Sequence, residues 1–401
     1  MAKRSSARKL VGAVSLCAAL GGAADACHAP AHLGPPAPAG SSGSGGAGGS
    51  GGGASGGGSS LVDDAGGDGP PALDASGFCG NQIHQVIAHA PNLYFLFDIS
   101  GSMTSPAGGG FSRYQLVQHS AVQMIETLGP LINVGAAVFP KGATPADPCH
   151  VGGEVFPVSP GDPIMPSTGP TTEGFIAATS VDPAGGTPTA ATLTALQPHL
   201  LAIKGVTVVL LATDGGPNCD AALSCGVTQC IPNLEGECKP FGSNCCAPGG
   251  TIGGAGCVDH DATVAAVGAL ASAGIPVFVI GIPGSELYAS VLDDMAVAGG
   301  KPQPGSPAYY RVDDLGGLQQ IFQSIAGAFV SCHYVLTDPP ADEGHTNVYL
   351  DQNVLPADPV NGWVWASPME IDLVGAACAK LKSGAVKQVQ IVSGCPTKQP
   401  S

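Results

Sequence analysis

The sequence is poor in basic residues. Its 401 residues include 14 lysines and arginines against 30 aspartates and glutamates, which gives a formal net charge of -16. Binding to nucleic acid or to an anionic membrane surface needs clustered Lys and Arg, and here these residues are few and scattered. The composition therefore argues against both kinds of partner.

Recognisable catalytic motifs are also lacking. No H-E-x-x-H occurs, and the Cys-His dipeptides at Cys27, Cys149 and Cys332 share no spacing that would build a zinc or nucleophile site. Matches to G-x-S-x-G and G-x-G-x-x-G near Ser50 neither follow a strand nor open a helix, so they indicate no mechanism. We expect the protein not to be an enzyme, since a metal-assisted hydrolase would need a general base that the sequence does not identify.

Residues 1–26 predict an export signal. Four basic residues precede the apolar run 10–20, which is too short to cross a bilayer as a helix, and the small residues 24–26 fit a cleavage site. Cys27 is then either the acylated first residue of a bacterial lipoprotein, with a lipid anchor in the membrane, or part of a plainly exported chain. In both cases we expect the protein in the cell envelope, on the outer surface or secreted.

Residues 27–78 predict a disordered tether. Between residues 40 and 60 only Ala47 and Ala54 are neither Gly nor Ser, so this stretch has no side chains that could offset the entropy lost on ordering. A flexible coil of this length spans an r.m.s. distance of about 40 Å, enough to hold a domain away from a cell surface.

The part after Cys79 alternates predicted strands with predicted helices. Continuous apolar runs predict strands at 93–97, 134–139, 206–211 and 277–282, with a short strand at 309–312. Helical spacing predicts helices at 114–128, 189–200, 259–271, 285–298 and 314–329. This alternation predicts an α/β fold with a doubly wound, mostly parallel sheet and helices on both faces.

Oxygen-bearing side chains follow these predicted strands, at the edge where such sheets bind ligands. D-I-S-G-S at 98–102 ends the first strand, T-D-G at 213–215 follows the strand at 206–211, and G-G-T-P at 185–188 precedes a helix. An all-oxygen set without Cys or His selects a hard divalent cation, Mg²⁺ first, with Mn²⁺ or Ca²⁺ as alternatives. The metal-site residues are Asp98, Ser100, Ser102, Thr187 and Asp214.

In this order, these residues resemble the metal-ion-dependent adhesion site of the von Willebrand factor type A (vWA) domain, written D-x-S-x-S, then Thr, then Asp. The resemblance covers about 92–330 and includes V-I-G-I at 279–282. It implies that Ser100, Ser102 and Thr187 contact the ion directly, whereas Asp98 and Asp214 act mostly through bridging water.

The resemblance further implies an adhesion module whose ion keeps an open position for the Asp or Glu carboxylate of a protein partner. Two readings without a metal compete with it. In one, the Ser residue caps a helix and the Asp residues form turns, so that the motif has a structural role and binds no metal. In the other, the chain is a disulfide-stabilised structural protein of the cell envelope.

Residues 215–258 depart from the family pattern, in which the next helix follows quickly. This Cys-rich insert contains Cys219, Cys225, Cys230, Cys238, Cys245, Cys246 and Cys257. The exported setting favours disulfides over the rival zinc cluster, and C-x-x-C repeats are missing. Seven is an odd number, so at least one insert cysteine must pair outside if all are bridged, and Cys149 is the best partner. The insert is predicted to border the metal site, where it either shapes the ligand pocket or is a stabilised decoration.

The remaining cysteines flank the predicted vWA domain at 79–331 and the segment after it. Because the ends of the domain lie close together in this family, the resemblance implies a Cys79–Cys332 bridge, and Cys378–Cys395 would then close a hairpin. Short alternating runs predict a β-rich C-terminal segment at 332–401. Its Trp363 and Trp365 either form a stacking platform for sugar or pack onto the neighbouring domain.

Overall fold

The computed structural model describes residues 80–400 apart from 81, 85, 88–89, 164–167, 241 and 387. The predicted signal peptide, the tether, Cys27 and Cys79 lie outside these residues and stay predictions. None of the helices in the described part has the length and apolarity that a bilayer crossing requires.

The secondary structure elements are numbered in chain order. The strands of the α/β part are β3 (Asn92–Asp98), β4 (Pro106–Gly108), β5 (Phe111–Ser112), β6 (Asn133–Phe139), β7 (Gly153–Pro160), β8 (Thr207–Thr213), β9 (Val277–Gly281) and β10 (Tyr310–Arg311). The flanking strands are β1 (Gln82–His84), β2 (Val86–Ile87), β11 (His333–Leu336), β12 (Thr346–Leu350), β13 (Asn353–Leu355), β14 (Trp363–Ser367), β15 (Glu370–Leu373) and β16 (Val389–Ser393). The helices are α1 (Arg113–Leu128), α2 (Pro170–Thr179), α3 (Thr189–Ala202), α4 (Ile231–Leu234), α5 (His260–Ser272), α6 (Ala289–Ala298), α7 (Leu315–Phe329) and α8 (Gly375–Lys382).

A six-stranded sheet forms the centre of the fold, in the order β10-β9-β8-β3-β6-β7. Neighbouring strands are parallel except for β7, which pairs with β6 in the antiparallel direction. Successive side chains of β3 enter different cores, with Phe95 on the face covered by α1 and α7 and Leu96 on the face covered by α3, α5 and α6. The predicted α/β fold with a mostly parallel sheet is therefore confirmed.

Several elements of this part were not expected from the sequence, and the two longest are β7 and α2. Strand β7 contains Pro157 and Pro160 and lies at the sheet edge, where a residue without an N–H costs no ladder hydrogen bond on its open side. Helix α2 begins at Pro170, a residue favoured in the first turn. The predicted helix at 285–298 is a 3₁₀ turn, Ser285–Tyr288, followed by α6.

The C-terminal segment forms two antiparallel four-stranded sheets, β1-β16-β12-β13 and β14-β15-β11-β2. Each sheet includes one strand from before the central sheet, because β1 pairs with β16 and β2 pairs with β11. Trp363 is only 1% exposed and lies edge to face with Trp365, with ring centroids 5.6 Å apart. Trp363 therefore packs in the core, and the sugar-platform alternative is wrong.

A disulfide joins Cys332 to Cys378. The predicted Cys79–Cys332 and Cys378–Cys395 pairings are therefore wrong, and Cys395 is disulfide-bonded as well. The physical reason is α8, an unpredicted helix that brings Cys378 beside the end of α7. Gly327 of α7 approaches α8 so closely that a Cβ there would lie 2.4 Å from the backbone oxygen of Lys382.

Candidate functional site

Three loops meet at the carboxyl edge of the central sheet. Strands β3 and β8 are parallel neighbours, so Asp98 at the end of one lies beside Thr213 at the end of the other. The loop that carries Thr187 joins them through a backbone hydrogen bond of 2.9 Å from the Gly101 N–H to the Gly185 oxygen. The topology therefore brings the three predicted sequence patterns to one place.

A chain of hydrogen bonds connects four of the predicted site residues. The Ser100 N–H donates to Asp98 Oδ1 at 2.7 Å, the Oγ atoms of Ser100 and Ser102 lie 3.0 Å apart, and Ser102 Oγ donates to Asp214 Oδ1 at 2.8 Å. Asp98 is fixed on its other side by the Thr213 hydroxyl, which donates to Oδ2 at 2.6 Å. Both carboxylates are buried, with Asp98 0% and Asp214 1% exposed.

Thr187, the fifth predicted residue, lines the same cavity as Ser100, Ser102 and Asp214. Its backbone N–H donates to Asn218 Oδ1 at 2.7 Å, and the Asn218 N–H donates back to the Thr187 oxygen at 2.9 Å. Gly186 allows this close fit, because a Cβ there would lie 2.6 Å from the sulfur of Cys219. The structure thus brings all five predicted side chains together.

Arg113, which the sequence patterns do not single out, also belongs to the site. Its Nη1 lies 2.5 Å from Asp214 Oδ2 and 3.5 Å from the backbone oxygen of Ser102. The guanidinium packs over Gly284, where a Cβ would lie 2.5 Å from its central carbon. Gly284 also has a φ of 112°, which L side chains rarely adopt. Only a glycine fits under the arginine at this position.

Burial dominates the electrostatics of the two carboxylates. Burial first, and then the charge of Asp214, raise the pKa of Asp98 to about 7. Burial also raises the pKa of Asp214, although hydrogen bonds from Arg113 and Ser102 act in the opposite direction. The site therefore holds negative charge that its own hydrogen bonds stabilise only in part, which is the environment that a bound cation relieves.

Ser100, Ser102, Thr187 and Asp214 form the floor of a cavity of about 730 Å³, and the buried Asp98 contacts this floor through Ser100. The Cys-rich insert supplies one wall with Ile231, Glu235 and Glu237, and the loop after β9 supplies another with Glu286 and Leu287. The Tyr288 hydroxyl donates to Glu235 at 2.8 Å and joins the two walls. The insert therefore borders the site, as predicted from its position after Asp214.

Disulfides hold the insert. Cys149 pairs with an insert cysteine, as predicted, and this partner is Cys219. The pairs within the insert are Cys225–Cys257, Cys230–Cys246 and Cys238–Cys245. Three of these sulfurs, from Cys225, Cys246 and Cys257, lie within 4.8 Å of one another, as a metal site would require. Because all three are oxidised, none offers a thiolate, and the zinc alternative is wrong.

No protein-family model and no curated protein matches this chain. Among solved structures, the pilus adhesin SpaC from Lactobacillus rhamnosus GG is 13% identical with a TM-score of 0.42, over 78% of this chain and 40% of SpaC. The vWF domain of the type V pili tip protein Mfa5 from Porphyromonas gingivalis is 11% identical with a TM-score of 0.39, over 60% of this chain and 95% of the other. The manganese-loaded TRAP protein of Plasmodium vivax is 16% identical with a TM-score of 0.37, over 65% and 91%. This chain thus spans less than half of SpaC, and at these TM-scores none of the similarities assigns it a function.

Proposed function

We propose that the protein is an exported adhesion module, tethered to a cell envelope, that captures the Asp or Glu carboxylate of a protein partner through a divalent cation. The observation that carries this proposal is the convergence of five oxygen-bearing side chains from three loops at one open cavity. Ser100, Ser102, Thr187 and Asp214 line this cavity, and the buried Asp98 joins them through its hydrogen bond with Ser100. Ser100, Ser102 and Thr187 would hold the ion through their hydroxyls, with Asp98 and Asp214 behind them. When bound, the ion would supply a Lewis-acidic position for a carboxylate oxygen.

The hydroxyl pair fits a small divalent ion. Two ligand oxygens at right angles on bonds of about 2.0–2.1 Å, the Mg²⁺ distance, are about 2.8–3.0 Å apart, whereas the longer bonds to Ca²⁺ separate them by about 3.3–3.7 Å. The Oγ atoms of Ser100 and Ser102 are 3.0 Å apart. Ser102 gives its proton to Asp214, so beside the lone pair that faces Ser100 its oxygen keeps a second one for a cation. These features favour Mg²⁺, with Mn²⁺ close behind, over Ca²⁺.

Arg113 favours capture of an anion. With the ion bound, the carboxylates of Asp98 and Asp214 are both ionised and carry two negative charges, and Arg113 adds one positive charge beside Asp214. A divalent ion would therefore leave the floor of the cavity with a net positive charge of one. In a partly buried site such a charge is poorly screened, so it attracts a carboxylate from outside.

Calorimetric titration of the full chain with Mg²⁺ or Mn²⁺ tests the proposal. We expect the parent to bind one ion and Ser102→Ala to bind at least about tenfold more weakly, the effect of losing one ligand interaction of about 1.4 kcal/mol. Ser105→Ala is the matched control, because Ser105 lines the same cavity but is not one of the five predicted residues. A parent that binds neither ion would favour the structural envelope protein instead.

A further inference from the structure

We propose that the Cys-rich insert makes the cavity selective for a carboxylate that has a cationic side chain next to it in the partner. The proposal rests on the proposed function, since it takes the metal position as the receptor for the carboxylate. It assigns a role to Glu235 and Glu237, which lie on the insert and line the cavity above the metal position.

The size of the cavity indicates more than one contact. At about 730 Å³ it lies within the range of about 300–1,000 Å³ that is typical of pockets that take a whole small ligand. One acidic side chain bound to an ion on the floor leaves most of this space for neighbouring residues of the partner. Those residues meet the walls, so the walls contribute to selection.

The walls carry negative charge that the protein does not neutralise. Among the described residues, no basic side chain forms an ion pair with Glu235 or Glu237. Arg113, the one basic side chain that lines the cavity in this part of the chain, is already bonded to Asp214. A partner with a second acidic group would therefore be repelled by the wall, whereas a Lys or Arg would supply the missing charge.

Glu286 differs from these two glutamates although it lines the same cavity. Its carboxylate lies 3.8 Å from Arg311 and accepts a hydrogen bond of 3.0 Å from the Gly284 N–H. Its charge is thus partly compensated within the protein, by an arginine that also pairs with Asp313. The selective charges are those of the insert.

Apolar groups that line the same cavity suit a long cationic side chain. Leu287 lines the cavity with 59% of its surface exposed, and Ile231 lies on the insert wall. The alkyl stem of a Lys or Arg can pack on such groups while its charged end reaches a carboxylate. A short or purely polar neighbour would leave Leu287 in water.

The wall is held in place before any partner arrives. Glu235 accepts the hydrogen bond from Tyr288, and the Cys230–Cys246 and Cys238–Cys245 bridges fix the chain on both sides of it. A fixed wall loses little conformational entropy on binding, so the cost of ordering offsets little of the free energy that its charges contribute.

Binding of short synthetic peptides to the full chain in saturating Mg²⁺ and low salt tests this inference. The peptides share one central Asp and differ in one neighbouring residue, which is Lys, norleucine or Glu. We expect the order Lys, norleucine, Glu, with about a three- to fivefold step for each charge contact of this exposure. Glu235→Gln and Glu237→Gln should each reduce the preference for Lys over norleucine, whereas the comparison variant Glu286→Gln, whose parent charge is partly compensated by Arg311, should reduce it less.

The outcomes separate this inference from the proposed function. If metal titration of the parent gives no binding, the proposed function itself fails. If Mg²⁺ binds normally but the Lys peptide binds no better than the norleucine peptide, or does not bind, this inference alone is overturned. It is also overturned if Glu286→Gln removes the preference as strongly as the two insert variants do. Ion titration of each variant shows whether the metal position is intact.

Discussion

Arg113 forms an ion pair with Asp214. We predict that removing its charge lowers the free energy of unfolding but raises the affinity for Mg²⁺. Asp214 has a side chain that is 0% exposed, Arg113 is 21% exposed, and the two are joined at 2.5 Å. The change Arg113→Met keeps an unbranched side chain over Gly284 but removes the positive charge. It leaves Asp214 as a buried carboxylate that Ser102, a backbone N–H and, when present, a metal ion can stabilise.

In chelator we expect Arg113→Met to lower the free energy of unfolding by about 3 kcal/mol, the lower end of the usual cost of about 3–5 kcal/mol for removing one partner of a buried pair. The lower end applies because Asp214 keeps the hydrogen bond from Ser102. In saturating Mg²⁺ the ion takes over the compensation, and we expect a loss of about 1 kcal/mol or less. The difference of about 2 kcal/mol corresponds to Mg²⁺ affinity that is about 30-fold higher in the variant.

Urea unfolding of the parent and the variant, each with chelator and with Mg²⁺, measures the first quantity, and calorimetric titration measures the second. Arg311→Met is the control, because Arg311 is 47% exposed and pairs with Asp313 and Glu286 rather than with Asp214. An equal loss of stability in chelator and in Mg²⁺, together with unchanged metal affinity, would refute the electrostatic role given to Arg113.

Three further predictions concern the same site. Because burial raises the pKa of Asp98 to about 7 from an unfolded value of about 3.9, the metal-free fold should lose stability as the pH rises from about 4 to about 7. Mg²⁺ affinity should rise over the same range. Asp98→Asn should flatten the pH dependence of stability, measured by urea unfolding, and of Mg²⁺ affinity, measured by calorimetry. If the variant and the parent showed the same pH dependence, Asp98 would not be the titrating group. Replacing both Cys149 and Cys219 by Ala removes a disulfide that closes a loop with a sequence separation of 70 residues. The free energy of unfolding in urea should fall by up to about 4 kcal/mol, more than on removing Cys238–Cys245, whose separation is 7. Gly186→Ala should weaken Mg²⁺ binding, because the added Cβ displaces the loop that carries Thr187. Gly226→Ala is the control, with nothing within 4 Å of its Cβ, and should not change the affinity. If the two variants bound Mg²⁺ equally well, Thr187 would not be a ligand of the ion.

The central sheet could be predicted because its signal is local. A strand covered by helices on both faces is apolar throughout, and β3 and β8 are buried at every position. The edge strand β7 has a mixed pattern of half-buried residues with two prolines, so no periodicity marks it. Helix α8 was missed for a related reason, since it is only eight residues long and has two buried positions.

Some residues of the site could be predicted from local sequence patterns, and others could not. Asp98, Ser100 and Ser102 are close in sequence, and strand ends predict where Thr187 and Asp214 meet them. Arg113 and Glu235 act through contacts with residues about 50 to 100 positions away, with Asp214 and Tyr288 respectively, and no short pattern encodes such contacts. The pairing of Cys332 was predicted wrongly because it depended on the position of α8.

The contact between α7 and α8 limits how the protein can respond to force. Gly327 lies against the backbone of Lys382, and the Cys332–Cys378 bridge follows a few residues after the end of α7. Sliding α7 along the sheet by one turn would break this contact and pull on a covalent bond. A helix clamped in this way cannot work as a piston between distant parts of the molecule. We therefore expect α7 to keep its position on the sheet when the protein is pulled.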